Sequence, residues 1–134
     1  RKRKSTMERI NFEQIVAEEF PRAVPEKFRA RIKNLAVLVE WEPDLDTRHA
    51  EGLSDNETLL GLYRGVPNTA RGVEYGVGPT LPDTITLFQG PIEEAAGDDP
   101  GRIREVIRET IWHEVAHYFG MDEGEVRKRE KDRR

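Results

Sequence analysis

Between Asp99 and Gly120 the sequence spells out one long helix with both ends marked, and this segment constrains the rest of the chain most. Asp99 followed by Pro100 is a capping residue followed by a first-turn proline, and Gly120 supplies a left-handed stop, so the pattern predicts a helix over about 100–119. In its first half Ile103, Val106, Ile107 and Thr110 line one side, while Arg102, Arg104, Glu105, Arg108 and Glu109 fill the remainder. Trp112, Val115 and Phe119 then add a second apolar face. A helix apolar on two sides has to be sandwiched, so the C-terminal half is expected inside the protein.

That half carries Trp112-His113-Glu114-Val115-Ala116-His117-Tyr118-Phe119-Gly120, which contains the pattern H-E-x-x-H. Histidines four residues apart lie one above the other on a helix, close enough to share a Zn²⁺ ion at about 2.0–2.1 Å each. Stepping roughly 100° per residue from Ile103 puts both histidines and Glu114 on the arc of Val106 and Ile107, so the apolar stripe leads into the site. Glu114 stands beside the pair rather than in line with it, a position suited to activating a water by taking its proton. The chain has no cysteine, so any metal is held by nitrogen and oxygen ligands. Gly120 can turn the backbone so that Asp122 or Glu123 supplies a third ligand.

Upstream, Asn11 with Gln14 three residues later suggests a capping box, and Phe12, Ile15, Val16 and Phe20 share one face of a helix over 12–20 that Pro21 should end. Pro25 suits the first position of a second helix, with Phe28 and Ile32 as its apolar side up to Asn34. Leu35 to Val39 is short, apolar and β-branched, which predicts a strand buried on both faces. Glu40 to Glu57, with Pro43 and three aspartates, reads as loop. Leu59–Arg64 and Thr84–Phe88 are two more strands, closed by Gly65 and Gly90, and the Gly-rich stretch from Arg71 to Pro82 is too long for a tight hairpin. The fold class is therefore α+β: two N-terminal helices, a small sheet of at least three strands, and the metal-bearing helix on one sheet face. A substrate strand is expected along a sheet edge, formed by either Leu59–Arg64 or Thr84–Phe88.

At 134 residues the chain has room for one core and no separate substrate lobe. Organisation is expected as a basic tail over 1–10, a domain over 11–124 and a charged tail over 125–134. The formal net charge is −4, yet Arg1 to Lys4 contribute four positive charges and residues 127–134 carry six basic against two acidic side chains, so the body between them is strongly acidic. An acidic body disfavours a nucleic-acid groove, which needs clustered lysines and arginines. No run of about 18 apolar residues occurs, and Arg1-Lys2-Arg3-Lys4 leads into Met7-Glu8-Arg9 rather than an apolar signal core, so a cytoplasmic protein is expected.

From His113 to Glu123 the sequence resembles the extended metzincin motif H-E-x-x-H-x-x-G-x-x-H, with Glu123 where the third histidine would stand. It is most similar to the small bacterial zincin-like metallopeptidase family, minimal zincins that carry an acidic residue there. The likeness extends through Leu59-Leu60-Gly61-Leu62-Tyr63-Arg64-Gly65-Val66-Pro67 and Pro82-Asp83-Thr84-Ile85-Thr86-Leu87-Phe88, covering most of residues 10–123. The resemblance implies a zincin-like fold, one Zn²⁺ per chain, Glu123 in preference to Asp122 as third ligand, and hydrolysis of a peptide or protein substrate with Glu114 as general base. One departure is plain: metzincins place a methionine-containing turn well after the third ligand, whereas Glu123 is followed here by the charged segment Glu125 to Arg134, and Met121 lies between the proposed ligands.

Two alternatives start from the same residues. A metal-dependent endoribonuclease of the ribosomal-RNA maturation type uses H-x-x-x-H-x-x-G-x-D-H, which is similar around Gly120 and Asp122, but the acidic body and Glu114 speak against it. A non-enzymatic interaction module would keep the metal for stability alone. Among other residues, His49 reads as solvated, Tyr118 as packing rather than as a donor to a tetrahedral intermediate, and Trp112 and Phe119 as core. Tyr75 sits in the Gly-rich segment with nothing to fix it near the histidines, and Arg127-Lys128-Arg129 reads as an exposed tail.

Overall fold

The computed structural model describes residues 7–66 and 81–121, and within them the marked helix is where its caps require it. We number the elements α1 (Arg9–Ala23), α2 (Glu26–Arg29), β1 (Leu35–Glu40), α3 (Leu45–Ala50), β2 (Gly61–Arg64), β3 (Asp83–Phe88), α4 (Gln89–Ala95) and α5 (Pro100–Tyr118). The Asp99 carboxylate accepts the Arg102 N–H at 2.8 Å, and Pro100 occupies the first turn of α5. At the other end Gly120 adopts φ +77°, which lets the Met121 N–H reach back to the Ala116 carbonyl at 3.0 Å and close the last turn.

Among the described residues the sheet has three strands in the order β1-β3-β2, with β1 parallel and β2 antiparallel to β3. Pairs run from Leu35 opposite Asp83 to Glu40 opposite Phe88, and from Gly61 opposite Leu87 to Arg64 opposite Thr84. Helix α5 packs against β2, β3, α1 and α4. Ile103, Val106, Ile107, Ile111, Trp112 and Val115 of α5 meet Ile85 and Leu87 of β3, Phe12 and Val16 of α1 and Ile92 of α4 in one continuous core. Full burial of each large apolar side chain there stabilises the fold by roughly 1.5–3 kcal/mol before entropy is counted. Trp112 is buried beneath Phe28, their rings meeting edge-on at 5.4 Å, and half-buried Phe119 lies against the same Phe28.

Several expectations are corrected. Helix α1 starts at Arg9 with Glu8 as its N-cap and no side-chain capping bond, so Asn11 and Gln14 sit exposed within the helix and form no capping box. Nor does Pro21 end α1, which continues to Ala23. A proline at 21 removes only the N–H that would bond the Ala17 carbonyl, and the helix runs on for two more residues; separately, Arg29 holds carbonyls at the helix end, donating to Pro21 O at 2.7 Å and Val24 O at 3.1 Å. Helix α2 is a single turn with Pro25 as its N-cap, and the chain leaves it well before Asn34. Strand β1 is not buried on both faces: Val39 is buried, while Leu38 is 44% exposed, and among the described residues the strand lies at one side of the sheet. The stretch read as loop contains α3, whose start is capped by Asp44 accepting the Thr47 N–H at 2.8 Å. Gly90 does not close β3 either. It lies within α4, where the chain turns directly from strand to helix, and a Cβ there would sit 2.9 Å from Cε2 of Trp41. The segment from Arg71 to Thr80, with Tyr75, lies outside the described residues.

Candidate metal centre

The last two turns of α5 carry the site, and the helix is fixed there from several directions. Val115 and Ala116 are fully buried and anchor its inner side. On its flank the Tyr118 hydroxyl accepts the Lys33 N–H at 2.9 Å and donates to the Lys33 carbonyl at 2.8 Å, tying the helix end to the chain just before β1. Tyr118 is therefore an anchor, as its expected packing role implies. His113 and His117 are partly exposed beside it, with ring centroids 4.9 Å apart and planes inclined at 72°.

Glu114 projects between the helix and the sheet and is 8% exposed. One of its oxygens, Oε1, accepts the N–H of Tyr63 at 3.0 Å. The reason lies in the antiparallel register. The Phe88 N–H donates to the Leu60 carbonyl at 2.9 Å, and bonded pairs alternate along the ladder, so Leu62 and Arg64 face β3 with their main-chain groups while Gly61 and Tyr63 turn theirs outward. Among the described residues β2 is thus the sheet edge beside α5; β3, the other candidate for an edge, is the central strand. The Tyr63 side chain is fixed too, its hydroxyl donating to Asp83 Oδ2 at 2.8 Å while Asp83 Oδ1 accepts the Val66 N–H at 2.9 Å.

Among the described residues His113, Glu114 and His117 form one group whose potential ligand atoms all lie within 4.8 Å of one another. Two imidazoles on successive helical turns with a carboxylate beside them suit a borderline divalent cation such as zinc, which takes nitrogen and oxygen donors. His49, by contrast, is exposed on α3 and takes no part in the group. Asp122 and Glu123, the candidates for a third protein ligand, lie outside the described residues. An open groove of about 1170 Å³ runs from His113 and Glu114 along α5 past Thr110 and Glu109, with Leu60 and Gly61 of the β2 side as its opposite wall.

What the histidine motif could not reveal is the strand that serves it. Gly61 and the Tyr63 main chain shape the space around Glu114, and the available signal was a glycine inside the apolar run Leu59-Leu60-Gly61-Leu62, which marks a close approach of backbone to a neighbour. No helix among the described residues is long and apolar enough to cross a membrane.

No curated protein matches the sequence. The family model described as zincin-like metallopeptidase matches residues 32–133, a stretch that takes in all three strands, α5 and the histidine pair and leaves α1 and α2 outside. A match over that share of 134 residues means that this chain belongs to the zincin-like metallopeptidase family.

Proposed function

We propose that the protein is a zinc-dependent hydrolase that cleaves peptide bonds, with His113, His117 and Glu123 as protein ligands of one Zn²⁺ per chain, Asp122 as the alternative third ligand, and Glu114 as general base. The observation that carries this reading is the position of Glu114: its carboxylate lies within 4.8 Å of the imidazole donor atoms, is held from the sheet by the Tyr63 N–H, and borders an open groove. Bound there, zinc would polarise the scissile carbonyl and make a water easier to deprotonate. Glu114 then takes the proton of the attacking water and delivers it to the leaving amine. The hydrogen bond from Tyr63 fixes the direction from which the carboxylate approaches, which is what general-base catalysis requires of a side chain with three rotatable bonds.

An extended substrate suits the groove because its strand wall is, among the described residues, the sheet edge, where Gly61 and the Tyr63 carbonyl turn outward while the Tyr63 N–H serves Glu114. Peptide or protein is favoured over nucleic acid by the acidic body and by the pairing of Arg104 and Arg108 with the buried Glu19 carboxylate. A cytoplasmic location belongs to the same proposal.

Replacing Glu114 by Gln tests the assignment. Glutamine keeps an oxygen that can accept the Tyr63 N–H but cannot serve as a base, so zinc content should persist while turnover of a peptide substrate drops by about 10²–10⁴-fold. Zinc stoichiometry measured alongside hydrolysis of a quenched-fluorescent peptide library checks both halves. Undiminished turnover in Glu114→Gln would sink the mechanism.

A further inference from the structure

Glycine at position 61 is not explained by backbone conformation, since its φ is not in the left-handed region. Space explains it. A Cβ built on Gly61 would lie 2.6 Å from Cγ2 of Thr110, 3.2 Å from the Thr86 carbonyl oxygen and 3.3 Å from Cγ of Glu114. The first distance is a steric overlap, and Thr110 cannot readily rotate away because its hydroxyl donates to the Val106 carbonyl at 2.7 Å inside the helix. The Thr86 oxygen belongs to the central strand. A side chain at position 61 is therefore relieved only if β2 moves off α5.

Two residues along the same edge, the Tyr63 N–H makes its 3.0 Å bond to Glu114. We infer that Gly61 is a positioning residue: its missing side chain brings β2 close enough to α5 for the Tyr63 N–H to hold the Glu114 carboxylate beside the histidine pair. Gly61 touches no reacting atom. It acts through Tyr63 on Glu114, and its effect on catalysis rests on the reading of Glu114 as general base.

The test compares wild type, Gly61→Ala and the double variant Gly61→Ala/Thr110→Ser, each loaded with zinc. Serine at 110 removes the Cγ2 methyl that meets the new Cβ but keeps the hydroxyl bonded to Val106. Two readouts are taken. Hydrogen exchange at the Tyr63 amide reports the bond to Glu114 without any need for turnover, because a donor on an open sheet edge is protected only when something accepts it. Steady-state hydrolysis of the best-cleaved member of a quenched-fluorescent peptide library reports the catalytic consequence.

In Gly61→Ala the Tyr63 amide should exchange at least about tenfold faster. Its kcat should fall by about 10- to 100-fold, with KM within about twofold of wild type and one zinc still bound. The double variant should recover most of the amide protection and most of kcat. Unchanged protection in Gly61→Ala, or a loss that Thr110→Ser fails to reverse, overturns the proposal. If Gly61→Ala alone does not fold, a folded double variant with Tyr63 protected supports it, and a double variant that also fails to fold overturns it. Should wild type cleave no peptide while the exchange pattern holds, the positioning role stands and the hydrolase reading falls.

Discussion

Helix α5 meets a neighbouring element through carboxylates at two places, and the two are built on different principles. Near its N-terminal end Arg104 and Arg108 reach across to Glu19 of α1, with Nη1 to Oε2 at 2.8 Å and Nη1 to Oε1 at 2.7 Å, while a second Arg104 nitrogen takes Glu18 at 2.8 Å. Glu19 is fully buried. Near the C-terminal end Glu114 is met by a neutral donor, the Tyr63 N–H, and shares its surroundings with two partly exposed imidazoles. The first arrangement clamps a carboxylate in its charged form, which suits architecture. In the second a main-chain dipole fixes one oxygen without itself bringing a cation, which suits a group that has to gain and lose a proton.

The two carboxylates should therefore respond unequally to replacement. Glu19→Ala removes the buried acceptor of two partly exposed arginines, of which Arg104 keeps Glu18, and should lower unfolding free energy by about 1.5–3 kcal/mol, the usual worth of hydrogen bonds to a charged group. Glu114→Gln, which keeps the hydrogen bond from Tyr63, should cost less than about 1 kcal/mol. Chemical denaturation of both variants measures the difference, and equal losses would erase the distinction. Acid offers a finer version. Burial opposes the charge of Glu19, but the hydrogen bonds from Arg104 and Arg108 and the nearby positive charges outweigh it and hold the carboxyl below its ordinary value of 4.5. A carboxyl lowered in the folded state adds stability that is complete above 4.5 and disappears as pH falls through the lowered value. Wild type should therefore lose stability on acidification below that point, and Glu19→Gln should flatten this limb of the profile.

A metal ion sharpens the comparison from the other side. The histidine end should respond to zinc and the Glu19 end should not, because a ligand that binds only the folded state stabilises it by about 2.7 kcal/mol at one hundred times its dissociation constant. Thermal unfolding with and without zinc should show the rise in wild type and its loss in His113→Ala. A comparable zinc response in His113→Ala would place the cation elsewhere.

The same division explains what could be read from the sequence. The grouping of His113, Glu114 and His117 was legible because all three lie on one helix whose ends are signed by Asp99, Pro100 and Gly120, so local geometry alone brings them together. The bond from Tyr63 to Glu114 was not, since it joins residues 51 positions apart and uses a main-chain atom that leaves no side-chain signature. Strands were found but not their order. Leu35 to Val39 is the more apolar run, yet Thr84 to Phe88 is central, because an apolar stretch does not say which neighbours will flank it. Helix α3 was hidden by polar composition although Asp44 and Thr47 form a cap, and α4 by Gly90 and Pro91, two residues that commonly end elements but here open one. Pro21 misled in the same way, because a proline costs a helix only one N–H and α1 continues two residues beyond it.

Tyr118 gives the smallest and most discriminating test, because it adjoins His117 yet turns its hydroxyl away to the Lys33 main chain. Tyr118→Phe removes both of those hydrogen bonds at a partly exposed position, so stability should fall by about 1 kcal/mol. Because the phenol is spent on the chain before β1, kcat for peptide hydrolysis should stay within about twofold of wild type. The opposite pattern, unchanged stability with a tenfold or greater loss of kcat, would mean that the hydroxyl leaves Lys33 and serves the substrate. The anchor would then belong with Glu114 on the chemical side of the helix instead of with Glu19 on the architectural side.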